Sequence, residues 1–246
     1  MNYYYQEDYY KMASYKEHRN LVKSITSIFS SLSGETSSSG ARSLFIRCKG
    51  CNLRCSYCDT SYSWEIQPLN LVDLEKEVPP LFEKYKYRYV ILTGGEPLLQ
   101  FSTTDIMRLY DICFNFNHDV ILQIETNGSI NIPTSIRIRA QSKIQYVMDI
   151  KLPSSGMFKN MRFENLHKLS KYDELKFVVA DQNDLDTALQ LCKDYKIKCQ
   201  NIWFSPVAGK CDLQWLWNTI VAIPDPRFRL QMQIHKVVFP NATQEV

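Results

Sequence analysis

The 246-residue chain has no long apolar run, no apolar leader and almost no charge imbalance. Apolar residues never continue for the roughly 18 positions a membrane span needs, which argues against a helical membrane protein. The opening Met1-Asn-Tyr-Tyr-Tyr-Gln-Glu-Asp-Tyr-Tyr-Lys11 lacks the apolar core of a secretion signal, so a cytoplasmic, reduced setting is expected. In that setting cysteines bind metal or catalyse more often than they form disulfides. A net charge of +3 gives no support to a nucleic-acid or membrane partner. Only three cysteines fall within the eight residues Cys51-Asn-Leu-Arg-Cys55-Ser-Tyr-Cys58, which follow the apolar run Ser43-Leu-Phe-Ile-Arg-Cys48. A structural zinc site wants four closed ligands, so zinc fits only if another group completes it. A [4Fe–4S] cluster held by three thiolates instead leaves one iron open to a ligand. Three thiols simply buried in a core remain the plain alternative.

At 45% apolar residues the chain has enough for a sizeable core, and its length suits one domain. Residues 1–20 carry six tyrosines without clear periodicity, so 1–23 is read as an N-terminal extension and 24–246 as the domain. Residues 24–40 begin apolar and become a Ser/Gly-rich loop, by composition a linker that leaves Glu35 solvated. Short β-branched or aromatic runs follow at 44–48, 88–93, 119–125, 144–149, 174–179 and 200–205. Helical patterns occupy 103–116, 182–195 and 212–222, while 71–85 contains Pro79-Pro80 and should start late or break. Helix signal between the third and fourth runs is weak. The alternation predicts an α/β fold, a partial, open βα barrel of about six parallel strands with reduced helices.

Each unusual motif lies at or just after one of these strands. The cysteines follow the first, Thr93-Gly-Gly-Glu96 ends the second, and Glu125-Thr-Asn-Gly128 ends the third. Asp149-Ile-Lys151 and Phe204-Ser-Pro-Val207 end the fourth and sixth. In parallel sheets that edge carries the active site. Consecutive glycines either turn the strand or admit a ligand to the backbone.

Cys-x3-Cys-x2-Cys with Gly-Gly-Glu resembles the radical S-adenosylmethionine (SAM) enzymes, in which the open iron chelates SAM and reduction releases a 5′-deoxyadenosyl radical. The ordered set is narrower. Phe29-Ser-Ser-Leu-Ser-Gly-Glu35, Phe45-Ile-Arg47, Gly50–Thr60, Leu92–Gln100, Ile124–Gly128, Asp149–Gly156, Lys176-Phe-Val-Val179, Phe204-Ser-Pro206 and Leu230-Gln-Met-Gln-Ile-His-Lys236 succeed one another. This succession is similar to the 7-carboxy-7-deazaguanine synthase family. Those enzymes contract 6-carboxy-5,6,7,8-tetrahydropterin to 7-carboxy-7-deazaguanine with loss of ammonia, on the route to queuosine and other 7-deazapurines.

The resemblance implies a [4Fe–4S] cluster on Cys51, Cys55 and Cys58, with SAM along Tyr57, Cys58 and Asp59, Gly94, Gly95 and Glu96, Asp149, Ile150 and Lys151, and Phe204, Ser205, Pro206 and Val207. It implies Mg²⁺ on Thr60, whose alternative is a turn hydroxyl. It places the pterin against Leu32, Ser33, Gly34, Glu35, Arg47 and Thr93. The guanidinium fork of Arg47 suits a carboxylate; a structural salt bridge is its alternative. A homodimer and an electron donor of flavodoxin or ferredoxin type are implied as partners. Two positions depart from the family pattern: Ser33 stands where the family has glutamine, and the chain continues beyond Pro240, where the family often ends in a proline carboxylate. Of the other cysteines, Cys113 and Cys192 read as core, and Cys199 with Cys211 as a poor second metal site. His235 is either a half-buried strand residue or a substrate neighbour. A glycyl-radical activase and a zinc-stabilised binding module are the competing functions.

Overall fold

The computed structural model describes residues 20–136 and 142–240. Its strands are β1 (Val22–Leu32), β2 (Arg42–Cys48), β3 (Leu71–Asp73), β4 (Tyr89–Gly94), β5 (Ile121–Thr126), β6 (Ile144–Ile150), β7 (Glu174–Val179), β8 (Asn201–Pro206) and β9 (Phe228–Leu230). They form one open sheet in the order β3-β1-β2-β4-β5-β6-β7-β8-β9. From β2 to β9 every pairing is parallel, and β1 runs antiparallel to both β2 and β3. All six expected strands are present, as β2 and β4 through β8.

Three strands were not expected. The stretch read as linker is β1, whose Ser-rich sequence hides a half-buried strand. Because β1 begins at Val22 and Leu21 is buried, the sheet starts before the expected boundary at residue 24; residues 1–19 of that extension lie outside the described residues. The other two, β3 and β9, are three residues each.

The helices are α1 (Leu74–Lys84), α2 (Thr103–Phe116), α3 (Gln182–Asp194), α4 (Leu213–Ala222) and α5 (Ile234–Val238). Asp73, Ser102, Asp181 and Asp212 cap the first four by accepting from first-turn N–H groups. Contrary to expectation, Pro79-Pro80 do not break α1. Each proline removes a donor and crowds the carbonyl four residues back. Those carbonyls belong to half-buried Glu75 and exposed Lys76, on the solvent side of the helix, while Val78 and Phe82 stay packed. The described residues between β5 and β6 contain no helix.

Alternation along the strands sets the two faces of the sheet. Leu44, Ile46, Cys48, Leu92, Leu122, Ile124, Leu175 and Phe177 are fully buried on the convex face beneath the helices. Their neighbours Phe45, Arg47, Thr93, Glu125, Asp149 and Lys176 line the concave face. Charge thus sits on one side of the sheet and the apolar core on the other.

Candidate active site

The concave face encloses a cavity of about 760 Å³, within the range of small-molecule sites. Cys51, Cys55 and Cys58 line it together with Tyr57, Asp59 and Thr60. The cysteine loop is tied by main-chain bonds: Gly50 N–H donates to Ser63 O at 2.8 Å, Cys51 N–H to Trp64 O at 2.9 Å and Ser56 N–H to Ser155 O at 3.0 Å. The end of β4 closes on the same loop, where Glu96 N–H donates to Gly50 O at 2.8 Å. That approach requires glycine. A Cβ on Gly95 would lie 1.9 Å from Gly50 O, and Gly94 has φ +109°.

All three thiols are free, and Cys51 Sγ receives the Leu53 N–H at 3.5 Å and the Asn127 amide at 3.8 Å. Burial pushes the Cys51 thiol up and that of Cys55 to about 11, so metal loading must displace protons. Among the described residues no three His, Cys, Asp or Glu side chains gather closely enough for a single metal ion. An iron–sulfur cluster is larger than one ion, and three thiols spread along a cavity wall suit it. Thr60 and Asp59 offer hard oxygens at the same wall, with Thr60 Oγ1 donating to Asp59 Oδ1 at 3.0 Å.

Opposite the cysteines, Ser33, Gly34 and Glu35 meet the C-terminal segment. Ile234 N–H donates to Gly34 O at 3.2 Å, the Gln233 amide donates to Glu35 Oε1, and Lys236 pairs with Asp59 at 2.9 Å. Lys176 bridges Glu35 at 2.5 Å and Asp149 at 3.2 Å, and Lys151 holds Asp149 at 3.0 Å. Burial alone would raise the Glu35 carboxyl, but Lys176 and Gln233 outweigh it and hold it down at about 2. Burial would likewise discharge Lys151 and Lys176, yet their carboxylate neighbours keep both protonated. Thr93 donates to Glu125, a buried carboxyl that burial raises. Two polar atoms in this wall are buried without a hydrogen-bond partner: Arg47 Nε and Asp149 Oδ1.

Most of the expected site residues line this cavity, and five do not. Leu32 is 59% exposed on the outside of β1. Ile150 and Phe204 are fully buried in the convex core, where Phe204 packs on Phe177 and Phe228. Ser205 is buried and does not line the cavity. Glu96 is fully buried and accepts from Leu98 N–H, Thr126 hydroxyl and Asn127 N–H at 2.7–3.0 Å, bracing β4 against the end of β5. Glu125, Lys176, Gln233 and His235 line the cavity although the motifs assigned them no contact. The first two were readable from alternation, since each flanks a fully buried strand residue. His235 sits on α5, not on a strand, and burial lowers its pKa. Pro240 lines the cavity, while residues 241–246 lie outside the described residues.

Comparison with known proteins separates the open readings. The radical SAM superfamily model matches residues 45–147. The 7-carboxy-7-deazaguanine synthase of Clostridium acetobutylicum is 34% identical over 215 residues, 87% of this chain and 95% of that protein. The chain belongs to the 7-carboxy-7-deazaguanine synthase family. The synthase of Hyperthermus butylicus is 42% identical over 204 residues, 80% of this chain and 83% of that protein. The fold agrees with the crystal structure of QueE from Escherichia coli, with a TM-score of 0.67 at 20% identity, over 91% of this chain and 98% of that one. As a 7-carboxy-7-deazaguanine synthase it is a radical SAM lyase of 7-deazapurine biosynthesis, with a [4Fe–4S] cluster, SAM and Mg²⁺ as cofactors. Among the described residues no helix is long and apolar enough to cross a membrane.

Proposed function

We propose that the cavity holds 6-carboxy-5,6,7,8-tetrahydropterin with its carboxylate on Arg47, beside a cluster on Cys51, Cys55 and Cys58. The supporting observation is Arg47 itself. Its Nε is buried without a hydrogen-bond partner, and among the described residues no carboxylate forms an ion pair with it. A half-buried guanidinium whose Nε–H is buried and unpaired is costly unless a ligand completes it. Phe29 and Tyr62 flank it, with ring centroids 5.7 and 5.9 Å from Cζ, which fixes the direction of its fork.

Cluster and SAM supply the radical chemistry when bound; the chain supplies position, charge and exclusion of water. Gly94, Gly95, Asp149 and Lys151 form the wall for SAM. Thr60, with Asp59 beside it, offers the Mg²⁺ position. Glu35 keeps its charge and accepts donors from the pterin edge, as carboxylates do from bases. Ser33 cannot replace the family's glutamine, because its hydroxyl is turned onto Ser38 Oγ at 2.9 Å and Glu35 O at 3.1 Å. The carboxamide of Gln233 lies at that edge instead. The ring-contraction product leaves with release of ammonia. The reading extends to a cytoplasmic homodimer served by a flavodoxin- or ferredoxin-type reductant, with one catalytic domain behind a Tyr-rich N-terminal extension.

The test is an anaerobic reaction of cluster-reconstituted enzyme with SAM, reductant, Mg²⁺ and 6-carboxytetrahydropterin. Mass spectrometry should detect 7-carboxy-7-deazaguanine. Cleavage of SAM to 5′-deoxyadenosine without that product would overturn the substrate while leaving the superfamily chemistry in place.

A further inference from the structure

Four charges of alternating sign run across the floor of the cavity: Glu35, Lys176, Asp149 and Lys151. Lys176 stands at the centre. It lies directly opposite Asp149 in the β6–β7 register, and its side chain is only 11% exposed. Its ammonium reaches Glu35 Oε2 at 2.5 Å and Asp149 Oδ2 at 3.2 Å. These two carboxylates belong to different halves of the site. Asp149 stands with Lys151 on the wall proposed for SAM, and Glu35 on the loop proposed for the pterin. The backbone beneath Lys176 is fixed, since Leu175 and Phe177 on either side are fully buried.

Each carboxylate has capacity left. Asp149 Oδ1 is buried with no partner, and Glu35, holding Lys176 and Gln233, retains lone pairs toward the cavity. A ligand donor arriving at Asp149 Oδ1 fixes the rotation of that carboxylate. The ammonium shared by its other oxygen is then fixed, and with it the edge that Glu35 presents to a second ligand. The same chain of contacts works in reverse, as linkage requires.

We propose that Lys176 is a positioning residue that makes SAM and the pterin bind cooperatively, by tying the carboxylate of one half-site to that of the other. This rests on the function proposed above.

Cluster-loaded enzyme, kept unreduced so that no turnover occurs, is titrated with SAM by anaerobic calorimetry, without and with saturating 6-carboxytetrahydropterin. In the unsubstituted enzyme the pterin should tighten SAM by about fivefold or more, the lower range of allosteric coupling. In Lys176→Met that ratio should fall to about one. A ratio that survives in Lys176→Met, even with both affinities weakened, overturns the proposal, because a merely structural lysine would change affinities and leave their coupling alone. Methionine strands two buried carboxylates and can cost folding. The double variant Lys176→Met/Glu35→Gln removes opposite charges together, and it too must lose the ratio. Unsubstituted enzyme that binds SAM but no pterin would bring down the functional reading and this inference with it. Binding of both ligands with a ratio of one would sink the coupling alone.

Discussion

On the cysteine side of the cavity, main-chain groups carry the structure: Gly50, Cys51, Ser56 and Glu96 all donate backbone N–H bonds to backbone carbonyls. On the facing side, side chains carry more of the structure: Gln233 and Lys176 both bond Glu35, and Lys236 reaches Asp59 beside the cysteines, alongside the one backbone bond from Ile234 N–H to Gly34 O. Backbone bonds survive most substitutions, whereas side-chain bonds change with the residue. On the function proposed above, the half assigned to the cluster is therefore fixed by the path of the chain. The half assigned to the substrate is open to replacement, as Ser33 and Gln233 illustrate.

The largest effect should come from breaking the backbone side where only glycine fits. Gly95→Ala places a methyl inside Gly50 O, so the cysteine loop must move. Iron retained after reconstitution should fall about tenfold or more, the scale of disturbing the shell that supports metal ligands. Normal iron content and an unchanged cluster absorption would show that the approach is not essential. On the recognition side, Arg47→Ala should lower kcat/KM for the pterin by about 10²-fold, the scale of a lost buried charge pair. SAM affinity should stay within a fewfold, and an equal loss in both would mean that Arg47 supports the whole wall.

The brace between β4 and the end of β5 should respond to pH. Burial lifts Glu96 from 4.5 to about 7 against its three donors. The folded state therefore holds this proton more tightly than the unfolded chain. Its contribution is complete below pH 4.5 and is lost as pH rises to 7, on the order of 3 kcal/mol. Denaturant unfolding of the wild type and Glu96→Gln across that window should show this slope only in the wild type. The smallest effect belongs to the outer contact. Asp59 is half exposed where it meets Lys236, so Lys236→Ala should cost at most about 1 kcal/mol. A loss in thermal unfolding beyond that would mean that the C-terminal segment is held more by this pair than by Gln233 and Ile234.

The parallel strands were legible because burial on one face and half-burial on the other leaves dense apolar runs such as Tyr89–Gly94. The first strand escaped because Val-Lys-Ser-Ile-Thr-Ser-Ile-Phe-Ser-Ser-Leu is half serine and threonine, the composition of a loop. Its strand state comes from pairing with β2, a tertiary fact. The cysteines, Arg47 and the glycines could be read because their chemistry is local in sequence. Glu35 looked solvated by composition, yet its partners Lys176 and Gln233 lie 141 and 198 residues away. The alternation of Leu230-Gln-Met-Gln-Ile-His235 suggested a strand, but only Phe228–Leu230 pairs, and Ile234 turns into a helix against Gly34.

The division of the sheet into a charged face and an apolar face also bears on how the chain finds its pairing. Sliding β7 by one residue would drive the Lys176 ammonium under the helices and turn Phe177 into the cavity. The same slip in β2 would exchange Arg47 with Ile46 or Cys48. Each misaligned sheet would bury an unpaired charge, a penalty of several kcal/mol that an all-apolar strand would never incur. The residues proposed to serve the ligands thereby also proofread the order in which the strands zip together.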